Sequence, residues 1–472
     1  MPSFDVSESV SLPVPASTRR SSPRALGVRV WTYWPWFVVT AALCYGIAIP
    51  MHRGFNVYLT VVWSLAFPIT VLALWGLVAS RRLVPSPWGP PARDLLIIQI
   101  PTIGRRDTLP ALHRVVTSIL HYVPEHFRHW RLDIVTEETA EALAILRERY
   151  EGQSQIRLVV IPTSYQCPRG SRYKARANAY ALARRRNTGE DGPRIWTYHL
   201  DDDTAVGSDT VAALRAHITQ RGARYPLAQG VLAFPHDLSP SWWTRLADSV
   251  RPIDDLSRFY FFAEVLRRPW AGLHGEHLLV RADVEDTIGW DFGPQCVVED
   301  AYFGLRFAAL YPGRSAFLPA YSYGASPATV GALVRQRARW AVGLLRLALD
   351  PAVGWRSKAI LAAQTAYWAL SLAQHLIIVL LIAALAGWWD TSPIWRPLAF
   401  VWSFNFSFWL WAYWQGFGVN RRVSQRPLSR WWQVLVVLLS PFLSLIEAWA
   451  AFRGLCQLAD RQRGFDVIPK EH

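Results

Sequence analysis

The chain has 472 residues, half of them apolar, with 25 tryptophans and a formal net charge of +15. Its cysteines (Cys44, Cys167, Cys296 and Cys456) stand far apart with no CxxC spacing, which excludes a zinc-finger site and a disulfide framework and suits a reducing compartment. The positive charge is almost wholly arginine, with lysine only at Lys174, Lys358 and Lys470, and it gathers at the edges of Trp-rich apolar blocks, a membrane-protein pattern that argues against nucleic acid as a partner.

Residues 1–30 are rich in Ser, Pro and Arg and are expected to be disordered. Apolar blocks at 34–50 and 57–79 follow, so 31–80 reads as two transmembrane helices. Arg19, Arg20, Arg24 and Arg29 precede the pair and Arg81 and Arg82 follow it, which places both ends in the cytoplasm.

From Leu95 the texture becomes that of an α/β domain. LLIIQI (95–100), LDIVT (132–136), IRLVVI (156–161) and RIWTYHL (194–200) read as strands. PALHRVVTSIL (110–120), EETAEALAILRERY (137–150) and KARANAYALARRR (174–186) read as the helices between them. GSDTVAALRAHI (207–218) follows the fourth strand, with Ser208 or Asp209 available as its cap. This alternation predicts a parallel, right-handed βαβ sheet with its ligand over the strand C-termini, where Thr102, Glu137 and the triplet Asp201-Asp202-Asp203 fall.

Beyond the triplet the pattern is less regular. WAVGLLRLALDPAVGW (340–355) is amphipathic, and 341–357 is expected to lie in the membrane interface. Apolar blocks return at 359–387, 397–416 and 431–452, giving two to three transmembrane helices within 358–455. Pro441 and Glu447 make the last block either a kinked span or a re-entrant hairpin, and 456–472 reads as a cytosolic tail.

Four short motifs can carry chemistry: the DDDT turn, Glu299-Asp300, Gln336-Arg337-Ala338-Arg339-Trp340, and Lys174-Ala175-Arg176. Each has a plain alternative when taken alone. The aspartates can cap a helix, the Arg-rich stretch can anchor to headgroups, and Lys174 and Arg176 can belong to a solvated helix start. In this order, flanked by apolar blocks, they resemble the membrane-bound glycosyltransferases of family 2, which carry Asp-x-Asp, Glu-Asp and Gln-x-x-Arg-Trp. The runs YKARA (173–177), HLDDDT (199–204), AQGVLAF (228–234), LADSVRPIDD (246–255), VVEDAYFGLR (297–306), RQRARW (335–340) and GFDVIPK (464–470) are similar to the egghead-type β-1,4-mannosyltransferases. The chain departs from that branch at Asp202 and Asp203, where the animal proteins have Glu, and at His274.

The resemblance implies an α/β fold of the GT-A (Rossmann-like) type, with a cytosolic glycosyltransferase domain at 93–340 flanked by N- and C-terminal transmembrane helices. It implies an inverting transfer of a hexose, by family likeness mannose from GDP-mannose, to a lipid-linked or glycan acceptor. A processive polysaccharide synthase using a UDP- or GDP-sugar is the alternative, and a non-catalytic transporter or receptor with an α/β module a more remote one. A metal-dependent phosphatase with Asp-x-Asp asks for Thr or Val where Ala205 stands.

Such a transfer needs a neutralised diphosphate, a deprotonated acceptor hydroxyl and excluded water. Asp203 and Asp201 suit Mg²⁺ or Mn²⁺. Thr102, Glu137, Lys174, Arg176, Asp201, Asp202 and Arg339 are the expected contacts to donor nucleotide and diphosphate. Asp300 is the expected general base. His274, Gly275, Glu299, Gln336 and Trp340 are expected on the acceptor side. The expected location is the cytoplasmic face of the plasma (inner) membrane, and arginine in place of lysine points to a GC-rich bacterial genome.

Overall fold

A computed structural model describes residues 38–43, 45, 56–86, 88–387 and 396–458. The expectations for the polar N-terminus, for most of the first apolar block and for the tail beyond 458 lie outside the described residues.

The strands read from the sequence form β1 (Leu95–Pro101), β2 (Trp130–Glu137), β3 (Ile156–Ile161) and β4 (Ile195–His199), paired in parallel in the order β3-β2-β1-β4. Their apolar runs are continuous because most of them are covered on both faces. The helices are α1 (Asn56–Ser80), α2 (Leu109–Tyr122), α3 (Leu143–Tyr150), α4 (Tyr173–Asn187), α5 (Ser208–Gln220), α6 (Glu299–Leu310), α7 (Val330–Leu349), α8 (Trp355–Leu385), α9 (Arg396–Val423) and α10 (Trp431–Cys456), together with shorter helical pieces. On α2, Leu112, Val115, Val116 and Ile119 enter the same core as Ile98, Ile100 and Ile134.

The α/β reading holds, but the sheet is mixed rather than wholly parallel. Three further strands, β5 (Leu227–Ala233), β6 (Leu278–Arg281) and β7 (Ser315–Tyr323), extend it to seven in the order β3-β2-β1-β4-β6-β5-β7. β6 runs antiparallel to both β4 and β5, while β5 and β7 are parallel. Two local expectations also change. α3 starts only at Leu143 because Glu137 still belongs to β2 and the Ala142 amide is held by the Gly104 carbonyl at 2.7 Å. Neither Ser208 nor Asp209 caps α5, since Gly207 takes that place. Asp209 instead accepts from the Tyr321 amide (3.1 Å) and the Tyr323 hydroxyl (2.8 Å), fastening α5 to β7.

An unbroken helical run over 242–265, widened into π turns at Asp255–Phe259 and Phe261–Val265, crosses between the sheet and the apolar helices. Close approach fixes this contact. A Cβ on Gly76 of α1 would lie 1.9 Å from the Ser257 carbonyl oxygen, and one on Gly416 of α9 would lie 1.7 Å from that of Ser249. The last apolar block is one continuous helix, α10, so it makes no re-entrant turn at Pro441. Residues 341–357 are not a separate interfacial helix: they divide between the end of α7, a turn, and the start of α8. Among the described residues, α10 alone is long and apolar enough to cross a membrane, and Ser64–Ser80 is a shorter apolar helix.

Candidate active site

The C-terminal ends of β1, β2 and β4 lie side by side, and the chain leaves each of them carrying a polar residue that the topology brings together. After β1, the Thr102 hydroxyl donates to Asp202 Oδ2 at 2.7 Å. At the end of β2, Glu137 is paired with Arg176 of α4, which also donates to the carbonyls of Pro162 (3.2 Å) and Tyr165 (2.9 Å). After β4 the three aspartates diverge. Asp201 faces a cavity and is paired with Lys174, Asp202 turns back to Thr102, and Asp203 is buried, its Oδ1 3.5 Å from the Thr204 hydroxyl.

α4 is launched by a strained residue. Tyr173 has φ +55°, a left-handed conformation that costs a non-glycine residue free energy, and it immediately precedes the lysine that meets Asp201.

The cavity holds about 570 Å³ and gathers Lys174, Asp201, His274, Glu299, Asp300, Arg339 and Trp340, which come from five separate parts of the sequence. Glu299 and Asp300 open α6, where the free amides of the first helical turn favour carboxylates. Both Asp300 oxygens are held by backbone: Oδ2 accepts from the Gly275 amide and Oδ1 from the Ala301 amide, each at 2.8 Å. A side chain at 275 would have to displace its neighbours, because a Cβ there would stand 2.8 Å from Lys174 Nζ and 3.2 Å from Asp300 Cβ. His274 donates its amide to Gln229 Oε1 (2.9 Å), sets its ring 4.0 Å from that of Phe259, and brings Nε2 within 2.9 Å of Asp255.

The electrostatics follow from four carboxylates around two cations. Burial works against the Lys174 ammonium, but Asp201, and then Glu299 and Asp300, outweigh it and push its pKa up. Burial also raises the Glu299 carboxyl, helped by the charge on Asp300 and opposed by Lys174 and Arg339. For Arg339 burial is the stronger influence and lowers its pKa against the pull of Glu299, Asp201, Asp300 and Glu276. A site with fixed cations beside a backbone-held carboxylate can bind a diphosphate and take up a proton a few ångströms away.

Thr102, Glu137, Arg176, Asp202, Asp203 and Gln336 are not among the residues lining this cavity. Gln336 is buried and accepts from Arg337 Nη1 at 2.6 Å. Conversely, Arg251, Asp254, Arg258, Glu276 and Arg337 line the cavity although the sequence assigned none of them a contact to donor or acceptor. The run 246–255 carried a signal for two of them, Arg251 and Asp254, which with the adjoining Arg258 set charged residues among the apolar side chains of the 242–265 run. Arg251 and Arg337 lie over the Trp340 indole, 4.5 and 4.3 Å from its ring, so that ring is already engaged by cations.

For a metal, the carboxylates of the cavity offer hard oxygen ligands. Among the described residues no three Asp, Glu, His or Cys side chains converge into a ready cage. Mg²⁺ and Mn²⁺ do not need one, since they take one or two carboxylates and fill their shells with phosphate oxygens and water. Asp201, at the cavity wall, fits that requirement.

Residues 196–453 match the model of the glycosyl transferase family group 2. The chain is 28% identical over 217 residues to beta-1,4-mannosyltransferase bre-3 of Caenorhabditis elegans, covering 46% of each protein. It is 26% identical over 216 residues to beta-1,4-mannosyltransferase egh of Drosophila melanogaster, covering 45% of this chain and 46% of that one. The chain thus spans about half the length of the curated relatives it matches. Among solved structures it is similar to a mannosyltransferase from Pyrobaculum calidifontis in complex with GDP-Man and Mn²⁺, at 14% identity and a TM-score of 0.49, over 85% of this chain and 100% of that one. With the family model covering more than half of its length, the chain belongs to the glycosyl transferase family group 2.

Proposed function

We propose that this protein transfers a hexose from a nucleotide sugar, with GDP-mannose the favoured donor, to a lipid-linked or glycan acceptor, with inversion at the anomeric carbon. The observation that carries the reading is Asp300, pinned by two backbone amides beside Lys174 and Arg339 at one end of a cavity that continues among apolar helices. The mannosyl preference rests on the similarity to bre-3 and egh.

In this reading the domain is of the GT-A type. The nucleoside lies over β1 and β2, near Thr102, Asp202, Glu137 and Arg176. The diphosphate lies toward Asp201, Lys174 and Arg339. Asp300 takes the proton of an acceptor hydroxyl, whose oxygen bonds to the anomeric carbon as the bond from that carbon to the diphosphate oxygen breaks. One base is enough, because a single displacement forms no covalent enzyme intermediate. Arg339, with two-pronged donors, and Lys174 hold the departing diphosphate. Glu299 holds Lys174 and Arg339 in register, while His274 and Gly275 shape the acceptor side. Asp201 would hold Mg²⁺ or Mn²⁺, which when bound would supply charge neutralisation to the diphosphate; Asp203, expected from the sequence beside it, is buried away from the cavity and is not part of that set.

The apolar helices would set this site at the cytoplasmic face of a membrane, where a water-soluble donor meets a membrane-held acceptor. The experiment is nucleotide release by the detergent-purified chain from each common nucleotide sugar, with Mg²⁺, with Mn²⁺ and with a chelator. Metal-dependent release from GDP-mannose supports the full reading. Release from a UDP-sugar instead would replace the donor while keeping the chemistry. Transfer that persists in Asp300→Asn would remove Asp300 as the base.

A further inference from the structure

The cavity does not end at the carboxylates. It continues between α8, α9 and α10, where its wall is made of Tyr367, Trp368, Trp409 and Tyr413 with two amides, Gln364 and Asn405, set among them. Asn405 is 4% exposed, and among the described residues neither its Oδ1 nor its Nδ2 has a hydrogen-bond partner. Gln364 Oε1 is buried and equally unpartnered. Leaving a donor and acceptors unpaired in an apolar bundle is costly, so they point to an occupant that pairs with them.

We infer that this inner chamber is a carbohydrate subsite that holds a sugar of the acceptor, with Asn405 and Gln364 pairing with its hydroxyls and the aromatic faces covering its C–H surfaces. The inference rests on the glycosyl-transfer reading for its role, and it names the part of the acceptor that enters the helices. A hydrocarbon chain would fill the same volume while leaving both amides unpaired. A pyranose satisfies the amides and the rings together, and about 570 Å³ shared with the carboxylate end is within the ordinary range for small-ligand sites. Because chamber and carboxylates form one cavity, a sugar seated on Asn405 lies on an open path to Asp300. The chamber therefore selects for acceptors by their sugar and leaves any lipid portion outside the bundle.

The test is equilibrium dialysis of radiolabelled cellobiose, as a generic sugar probe, against the full chain in phospholipid nanodiscs. The comparison includes Asn405→Leu and Gln364→Met, with thermal unfolding as the folding check. Asn405→Leu removes a buried, unpaired amide at nearly constant volume, so its folded state should be at least as stable as the parent. The expected result is cellobiose binding by the parent chain, weakened roughly tenfold in each variant and not displaced by 1-decanol. No binding, equal binding by parent and variants, or displacement by 1-decanol would each overturn the subsite. Nucleotide release by the parent chain is scored separately. Donor turnover with no amide-dependent sugar binding sinks the chamber alone, whereas amide-dependent binding with no donor turnover sinks the transfer reading and leaves a sugar site.

Discussion

Arg337 Nε lies 2.9 Å from Glu447 Oε1, joining the helix that carries the Gln-x-x-Arg-Trp residues to α10, the one helix among the described residues long and apolar enough to cross a membrane. The same guanidinium pairs with Asp248 of the 242–265 run and donates to Gln336. One buried cation thus ties α7, α10 and the crossing helix together behind Arg339 and Trp340. Burial lowers the Arg337 pKa, but Glu447 and then Asp248 outweigh it and hold the group charged.

Removing that cation should therefore destabilise the protein more than a surface substitution does. Arg337→Met leaves two mostly buried carboxylates facing each other without a partner, a change that costs about 3–5 kcal/mol. The detergent-solubilised variant should unfold at a clearly lower temperature, and adding Asp248→Asn with Glu447→Gln should recover much of the loss. An unchanged midpoint in the single variant would show that the cluster does not bind these helices together.

Asp300→Asn keeps the size of the side chain and one oxygen for a backbone amide, but it has no basicity to take a proton. Turnover should fall about 10²–10⁴-fold while donor binding changes little. The measurement is kcat for transfer beside a nucleotide-binding titration. Equal losses in both would make Asp300 a binding group instead.

Gly275→Ala tests geometry rather than charge. The added methyl would press on Lys174 Nζ and on Asp300 Cβ, so the lysine or the base must move. A displacement near 1 Å at a reacting group costs on the order of a hundredfold in rate. The expected variant is folded, binds donor, and is slow. A rate within twofold of the parent would mean that the loop around 275 yields freely and that its contact with Asp300 is not a positioning one.

Much of this arrangement was legible in the sequence, and the pattern of success has a physical cause. β1 to β4 were readable because parallel strands covered on both faces are plain apolar runs. β6 was not, because LLVR is four residues long and is a strand only through its antiparallel neighbours. β5 and β7 were obscured by a register irregularity beside Gly230 and by Pro319 inside the run. Lys174, Asp201, Glu299, Asp300 and Arg339 could be named from motifs. That Asp201 and Asp203 part company, one to the cavity and one into the core, depends on the turn after β4 and could not be read from three identical letters. Arg337 looked like a spacer in a motif because its partners are 89 and 110 residues away.

Five buried histidines set the expected acid limit of the fold. His217 is held down to about 4 and His236 and His277 to about 3, in each case chiefly by burial, and His126 and His199 are also lowered chiefly by burial, His199 against the opposing charge of Glu285. A histidine depressed in the folded state binds protons better when unfolded. Its contribution to stability is present above the unfolded value near 6.5 and is lost as pH falls from there toward 4 and 3. Each can contribute up to about 1.4 kcal/mol per pH unit across that window. Glu299 has the opposite sign: its pKa is raised, so its contribution is present below the ordinary carboxyl value and lost as pH rises through its folded one. Asp209, raised by burial, has the same sign as Glu299, and two carboxyls against five imidazoles leave the histidines in control. The unfolding midpoint of the solubilised protein should therefore hold steady from pH 8 to about 7 and drop steeply below about 6.5. His217→Gln should make that drop shallower, because Gln can still donate to the Tyr225 carbonyl that His217 Nε2 meets at 2.8 Å and does not titrate. A midpoint that stays flat down to about pH 5 would mean that these imidazoles are charged in the folded protein and that their surroundings are wetter than the packing around them indicates.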